Sequence, residues 1–277
     1  MTIKEAYHLT RLKLREIYSE AEADAIALSL FDEVYKINKT QLILHPESAF
    51  EQEEHLYQSL QSLLKGKPLQ HLIGYEYFGG LKINVNSNVL IPRPETEELL
   101  EWMMQNTTLR SGIVADICTG SGCIAIYMRN HSEAWKIYAT DLSEEALATA
   151  KSSELEIFGN NKINWTQHNI LNKSWEAVWP NLVICNPPYI GREESELMTT
   201  NVLQYEPHLA LFVDDSDTLL FYKKVIEVFS KGQFPEIFFE LNPLTVEGLR
   251  VYCNESGYQI QTGKDMQGKI RFARITR

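Results

Sequence analysis

The chain has 277 residues, enough for one large or two moderate domains, and its 44% hydrophobic and 23% charged content is that of a globular protein. A net charge of -11 disfavours broad electrostatic attraction to nucleic acid phosphates, although a local basic patch stays open. No apolar run approaches the ~20 residues of a membrane span, and Met1-Thr2-Ile3-Lys4-Glu5 lacks the apolar core of a signal peptide, so a cytoplasmic protein is expected.

Residues 3 to 72 read as helices. Ala6, Leu9, Leu14, Ile17 and Tyr18 recur at helical spacing, as do Ile26, Leu30, Val34 and Ile37. A further segment after His45-Pro46 carries Phe50, Leu56, Tyr57, Leu60, Leu63 and Leu64, and Lys65-Gly66-Lys67-Pro68 supplies a stop. From Leu72 to Leu90 the period shortens around Gly79-Gly80 and Asn86-Ser87-Asn88, which predicts a β-hairpin. Ile91-Pro92-Arg93-Pro94 is then a stiff extended entry to a helix through Leu99, Leu100, Trp102 and Met103, with Glu95 or Thr96 as its N-terminal cap.

The next unit is a short apolar strand, Ile113–Ile117, a small-residue turn, Cys118-Thr119-Gly120-Ser121-Gly122, and a helix opening at Cys123. Strand, glycine turn and helix make the unit in which a backbone approaches a ligand closely. A second strand from Trp135 ends at Asp141, where a carboxylate can accept both hydroxyl protons of a ribose. Alternation continues with a helix from Ser143 to Gly159, a strand at Ile163–Gln167 and a strand at Leu182–Cys185. After an irregular loop come a helix over Thr218–Ser230, a strand at Pro235–Leu241, a helix over Pro243–Ser256, and a terminal antiparallel pair. Such alternation predicts an α/β domain with a mostly parallel sheet, whose ligands bind beyond the carboxyl ends of the strands. Cys118–Gly122, Asp141, Asn169 and Asn186 all fall at those ends.

Asn186-Pro187-Pro188-Tyr189 leaves its strand as a rigid polar corner. Proline fixes φ and has no amide proton, so the corner is stiff and presents acceptors beside a flat ring. On its own this motif is equally a proline-rich strand exit with an incidental tyrosine. The four cysteines, Cys118, Cys123, Cys185 and Cys253, form no C-x-x-C pair and no ligand spacing with histidine, so reduced thiols and no metal are expected.

Across nearly its whole length the chain resembles the class I S-adenosylmethionine-dependent methyltransferases and, within them, the release factor glutamine methyltransferases. The resemblance is carried by Val89-Leu90-Ile91-Pro92-Arg93-Pro94-Glu95-Thr96-Glu97, by Asp116–Gly122, by Asp141, by Asn186–Tyr189, and by Tyr205-Glu206-Pro207 followed by Ala210-Leu211. It implies a Rossmann-like domain with a seven-stranded, mostly parallel sheet over residues 95–277, a β-hairpin linker over 73–94, and a helical release-factor-binding domain over 1–72. S-adenosyl-L-methionine is the implied methyl donor, held by Thr96, Cys118, Thr119, Gly120, Ser121, Gly122, Asp141, Asn169, Ile170 and Asn186. Asn186, Pro187, Pro188 and Tyr189 are the implied substrate site, with Asn186, Pro187 and Tyr189 acting in methylation of the N5 amide of a Gly-Gly-Gln glutamine in peptide chain release factors.

Three departures stand out. Cys118 replaces a frequent glycine, Asn169 replaces a frequent acidic residue near the adenine, and Val213-Asp214-Asp215-Ser216-Asp217 replaces a glycine-containing loop to which no role is carried over. The resemblance implies a monomer that binds neither membrane nor DNA. Two other readings compete: an adenine-N6 methyltransferase on DNA or RNA, which would use the same corner on a flipped base, and a non-catalytic S-adenosylmethionine-binding module.

Overall fold

A computed structural model of the chain describes residues 1–191, 200–213 and 217–277. Most of the loop that follows Tyr189 and the acidic run Asp214-Asp215-Ser216 lie outside the described residues. The chain forms two compact units, one of residues 1–75 with 199–205 and one of the remainder.

The first unit is helical: α1 (Ile3–Leu14), α2 (Glu20–Glu33), α3 (Lys39–Leu44), α4 (Glu53–Leu64) and α5 (Gln70–Ile73). Thr2 and Glu5 close a reciprocal capping box on α1, and Asn38 and Gln41 close another on α3. These helices bury Ala6, Leu14, Ala23, Ala27, Leu30, Phe31, Leu56, Leu60 and Leu63 with Tyr35 and Phe50. Two expected core positions face solvent instead. Ile17 is half exposed because α1 ends before it, and Tyr57 is half exposed because one step along α4 from Leu56 turns the side chain through about 100°. The six-residue α3 is too short to show a periodicity in the sequence.

In the second unit β1 (Tyr75–Phe78) and β2 (Leu81–Asn84) form the hairpin, turning at Gly79 and Gly80, both at positive φ. Helix α6 (Pro94–Asn106) follows, and its N-cap is Arg93, with Pro94 in the first turn. Neither Glu95 nor Thr96 caps it: the structure turns the Thr96 hydroxyl inward to a buried carboxylate. The body is β3 (Gly112–Ile117), α7 (Cys123–His131), β4 (Trp135–Asp141), α8 (Glu144–Phe158), β5 (Asn164–Gln167), β6 (Leu182–Cys185) and β7 (Ile190–Gly191). Ser143 caps α8 and Gly159 ends it in the left-handed region, as the sequence suggests, although Leu155 on this helix is exposed rather than apolar-facing. Helix α9 (Thr200–Tyr205) groups with the first unit, where the Tyr205 hydroxyl donates to the Lys65 carbonyl. Then come α10 (His208–Leu211), β8 (Phe212–Val213), α11 (Leu220–Phe229), β9 (Glu236–Glu240), a 3-10 turn at Pro243–Thr245, α12 (Val246–Glu255), β10 (Gln259–Lys264) and β11 (Ile270–Thr276). The two-residue pair β7·β8 had no counterpart in the sequence reading.

The main sheet has seven strands in the order β10-β11-β9-β6-β3-β4-β5. Pairings among β9, β6, β3, β4 and β5 are parallel, and β11 lies antiparallel to both β9 and β10. One apolar layer joins a face of the sheet to α6 and α7 through Leu99, Leu100, Met103, Ile124 and Met128, and the other joins the opposite face to α11 and α12 through Tyr222, Val225, Phe229 and Leu249. From β3 the chain proceeds outward through β4 and β5, then returns to lay β6 on the other side of β3. That reversal opens a crevice at the carboxyl ends of β3 and β6, the place where parallel sheets of this kind receive ligands.

Candidate active site

The pairing of Ile117 with Cys185 brings the two strand exits side by side, so Cys118 and Asn186 leave the sheet as neighbours. Above them lies a cleft of about 240 Å³. Its wall contains Thr96, Cys118, Thr119, Gly120, Ser121, Asp141, Asn169, Ile170, Asn186 and Pro188. Pro187, Tyr189 and Gly122, singled out with them in the sequence, are not part of the wall.

The glycine turn is tied down at both ends. The Thr119 amide donates to the Thr140 carbonyl at 2.9 Å, and the Gly122 amide to the Thr119 carbonyl at 2.9 Å. Gly120 and Gly122 both have positive φ, but for different neighbourhoods. A Cβ at Gly122 would stand 2.7 Å from the Ala150 Cβ and 2.8 Å from the Trp165 ring, so this glycine lets the turn seat against α8. A Cβ at Gly120 would meet nothing within 4 Å, and Gly120 lines the cleft, so its bareness keeps the space open. Cys118 also sits at positive φ, 59°, a region that disfavours any side chain, so the cysteine there is a strained replacement for glycine.

Two carboxylates frame the turn. Asp116 is wholly buried; its Oδ2 accepts from the Thr119 hydroxyl and from the Ala125 amide at 3.1 Å, while its Oδ1 has no partner among the described residues. Burial pushes its pKa up to about 7, against those two bonds. Asp141 accepts the Gly120 amide at 2.8 Å on one oxygen and the Ser143 amide at 3.0 Å on the other, and burial raises its pKa as well. Each oxygen keeps a second lone pair for a diol. The Asn169 side-chain oxygen accepts the Leu171 amide at 3.0 Å. His168, beside it in the wall, carries a buried Nε2 with no partner among the described residues.

This donor and acceptor set suits an adenosyl group. Asp141 answers a ribose diol; the Ile170 side chain and Pro188 give apolar cover for a base; and the bare Gly120 admits a ligand to the backbone.

The Asn-Pro-Pro-Tyr corner is organised from behind. Asn186 Nδ2 donates to Thr96 Oγ1 at 3.1 Å, and the Thr96 hydroxyl donates to Glu240 Oε2 at 2.6 Å. The Tyr189 hydroxyl donates to Glu240 Oε1 at 3.0 Å, and Asn242 Nδ2 to the Tyr189 carbonyl at 3.3 Å. Glu240 is the last residue of β9 and is almost wholly buried, which raises its pKa. Tyr189 is raised well above its usual value, by burial first and the Glu240 charge second. Arg93, also in the cleft wall, forms an ion pair with the buried Glu206 at 2.5 Å, and Glu206 also accepts the Ile91 amide at 3.3 Å. This joins the Pro-Arg-Pro segment to the Glu-Pro segment.

Sequence reasoning missed Glu240 and gave Glu206 no role. Glu240 did carry a signal: a single carboxylate closing the apolar run Ile237-Phe238-Phe239 at the ligand-binding edge of the sheet.

Residues 94–210 match the family described as methyltransferase small domain, and residues 5–74 match the PrmC N-terminal domain. A release factor glutamine methyltransferase of Flavobacterium psychrophilum is 34% identical over 95% of this chain and 94% of its own. Another from Bacteroides thetaiotaomicron is 31% identical over 96% of this chain and 97% of its own. Among solved structures, the hMettl16 catalytic domain in complex with the MAT2A 3'UTR hairpin 6 superposes with a TM-score of 0.57 at 17% identity, covering 71% of this chain and 75% of that one. The human methyltransferase 10 domain containing protein does so with a TM-score of 0.51 at 16% identity, over 71% and 89%. At those identities the likeness is one of fold.

Proposed function

The chain belongs to the release factor glutamine methyltransferase family, and on that premise we propose that Asn186 and Pro187 hold the substrate glutamine while Tyr189 fixes their turn from behind. The enzyme is an S-adenosyl-L-methionine-dependent transferase that methylates the glutamine side-chain amide nitrogen of peptide chain release factors. S-adenosyl-L-methionine, when bound, supplies an electrophilic methyl on a sulfonium.

The remaining chemistry belongs to the chain. An amide nitrogen is a poor nucleophile because its lone pair is delocalised into the carbonyl. Asn186 Oδ1 and the Pro187 carbonyl accept its two N–H bonds, which orients the nitrogen and stabilises the positive charge that grows on it. The N–H proton becomes acidic only as that charge develops and is then given up to water, so no strong base is needed to start. Asp141 and the turn from Cys118 to Ser121, with Asn169 and Ile170, hold the cofactor beside this corner. The helical unit docks the release factor, and the working form is a cytoplasmic monomer. The net charge of -11 supports recognition of protein rather than DNA.

The observation that carries this reading is the position of Asn186. Its carboxamide stands in the same cleft wall as the glycine turn and Asp141, with its Nδ2 already engaged on Thr96. The test uses methyl-labelled S-adenosyl-L-methionine with an intact bacterial release factor, duplex DNA and RNA in parallel. Label is expected on the release factor, and replacing its Gly-Gly-Gln glutamine should abolish it. Label only on nucleic acid overturns the reading, and label on none of them leaves a binding module. Asn186→Ala should lower kcat by about 100-fold or more while S-adenosylhomocysteine affinity changes only severalfold.

A further inference from the structure

We infer that Glu240, acting through Thr96, sets which end of the Asn186 carboxamide faces the substrate, so that Glu240 and Thr96 are positioning residues for the methylation. The inference rests on the reading of Asn186 as the substrate clamp.

An asparagine side chain has an acceptor end and a donor end of nearly equal size, so packing alone does not choose between them. Hydrogen-bond inventory does. Both oxygens of Glu240 act as acceptors, one from the Thr96 hydroxyl at 2.6 Å and the other from the Tyr189 hydroxyl at 3.0 Å. Threonine has a single hydroxyl proton. Once that proton is committed to Glu240, Thr96 Oγ1 can offer Asn186 only a lone pair. The partner must then be Nδ2, as found at 3.1 Å, and Oδ1 is left for the cleft. A substrate –NH₂ requires that acceptor. A reversed carboxamide would set an N–H against an N–H and lose the bond that orients the nucleophile.

The relay also spans separate elements. Thr96 lies in the first turn of α6, Glu240 ends β9, and Asn186 follows β6 directly. The hold on Glu240 is reinforced from the side, because Tyr222 donates its hydroxyl to the Glu240 carbonyl at 3.3 Å. Burial pushes the Glu240 carboxyl up, and the Thr96 and Tyr189 hydroxyl bonds, with Arg271 on β11, work against that shift. Thr96 thereby acts on the substrate side of the site, although it stands in the wall that also receives the cofactor.

The test combines Thr96→Val, which keeps the shape and removes the hydroxyl, with Thr96→Ser, which restores it, and Glu240→Gln, which removes the charge without changing the size. Three quantities are read: kcat on intact release factor, the Kd for S-adenosylhomocysteine, and the side-chain ¹⁵N–¹H₂ resonances of Asn186, assigned by their loss in Asn186→Asp. Thr96→Val and Glu240→Gln are expected to lower kcat by about 10- to 100-fold with the Kd held within about threefold, and Thr96→Ser to recover most of the loss. Both damaging variants should also shift the Asn186 carboxamide resonances, a readout that needs no substrate. Four results would overturn the inference. They are wild-type kcat in Thr96→Val, a Kd that weakens as much as kcat falls, a Thr96→Ser variant as poor as Thr96→Val, or unmoved Asn186 resonances. A wild-type enzyme that fails to label release factor would instead sink the clamp reading, and the resonances tell the two failures apart.

Discussion

The two glycines of the cofactor turn should fail in different ways when given a methyl group. In Gly122→Ala the new Cβ would lie 2.7 Å from the Ala150 Cβ and 2.8 Å from the Trp165 ring. Neither neighbour yields easily: Ala150 is backbone-fixed on α8, and the Trp165 indole N–H is held by Glu154 at 2.6 Å. Left-handed strain costs about 1–2 kcal/mol and overpacking about 1–3 kcal/mol more, so the expected loss is ~2–5 kcal/mol. At roughly 2–4 °C per kcal/mol for a domain of this size, the melting temperature should fall by about 4–20 °C. In Gly120→Ala the strain term remains but no atom stands within 4 Å, so the stability loss should stay near 1–2 kcal/mol. Cofactor binding should reverse that ranking. The Gly120 methyl projects into open space at the cleft wall, and S-adenosylhomocysteine should bind at least about tenfold more weakly, a change of ~1.4 kcal/mol. Urea unfolding without ligand and calorimetric titration with S-adenosylhomocysteine measure the two quantities separately. If Gly120→Ala unfolds as readily as Gly122→Ala and binds the ligand normally, Gly120 is a folding residue and the division proposed for the turn is wrong.

Three further outcomes follow from the same geometry. Cys118→Gly should gain up to about 1 kcal/mol in urea unfolding, because it relieves the side chain at φ 59° and returns only part of that gain to chain entropy; no gain would mean that the thiol's contacts outweigh the strain. Asp116, raised to about 7 by burial, binds its proton more tightly folded than unfolded, so its contribution is greatest below its ordinary value of 3.8. It is lost as pH rises to about 7, by ~4 kcal/mol at most, and subtracting the Asp116→Asn stability curve from that of the wild type should reveal this slope; parallel curves would argue against it. Glu206→Ala leaves Arg93 without its ion-pair partner and the Ile91 amide without its side-chain acceptor, and with Arg93 one-third exposed the expected loss is about 2 kcal/mol in urea unfolding, less than for a fully buried pair; a loss below ~0.5 kcal/mol would show the tie to be ornamental.

What the sequence made legible was local. Gly120, Gly122 and Asp141 could be placed because a strand, a turn and a helix are each written in consecutive residues, and the strand that delivers Asn186 is an unbroken apolar run. Short elements such as α3 and the β7·β8 pair carry too few residues to display a period. The relay behind Asn186 was hidden for a different reason. Thr96, Asn186 and Glu240 are drawn together only by the strand order that sets β9 beside β6 and by α6 crossing their ends, and nothing along the chain states that order. Thr96 shows the consequence most sharply. Read locally, a threonine after Pro94 is a helix cap or a cofactor contact; in the fold it is a donor to one strand end and an acceptor from another. Its single proton cannot serve both neighbours, and that restriction gives the active-site amide a direction. A motif can therefore name the clamp, but the clamp's polarity is a property of the sheet.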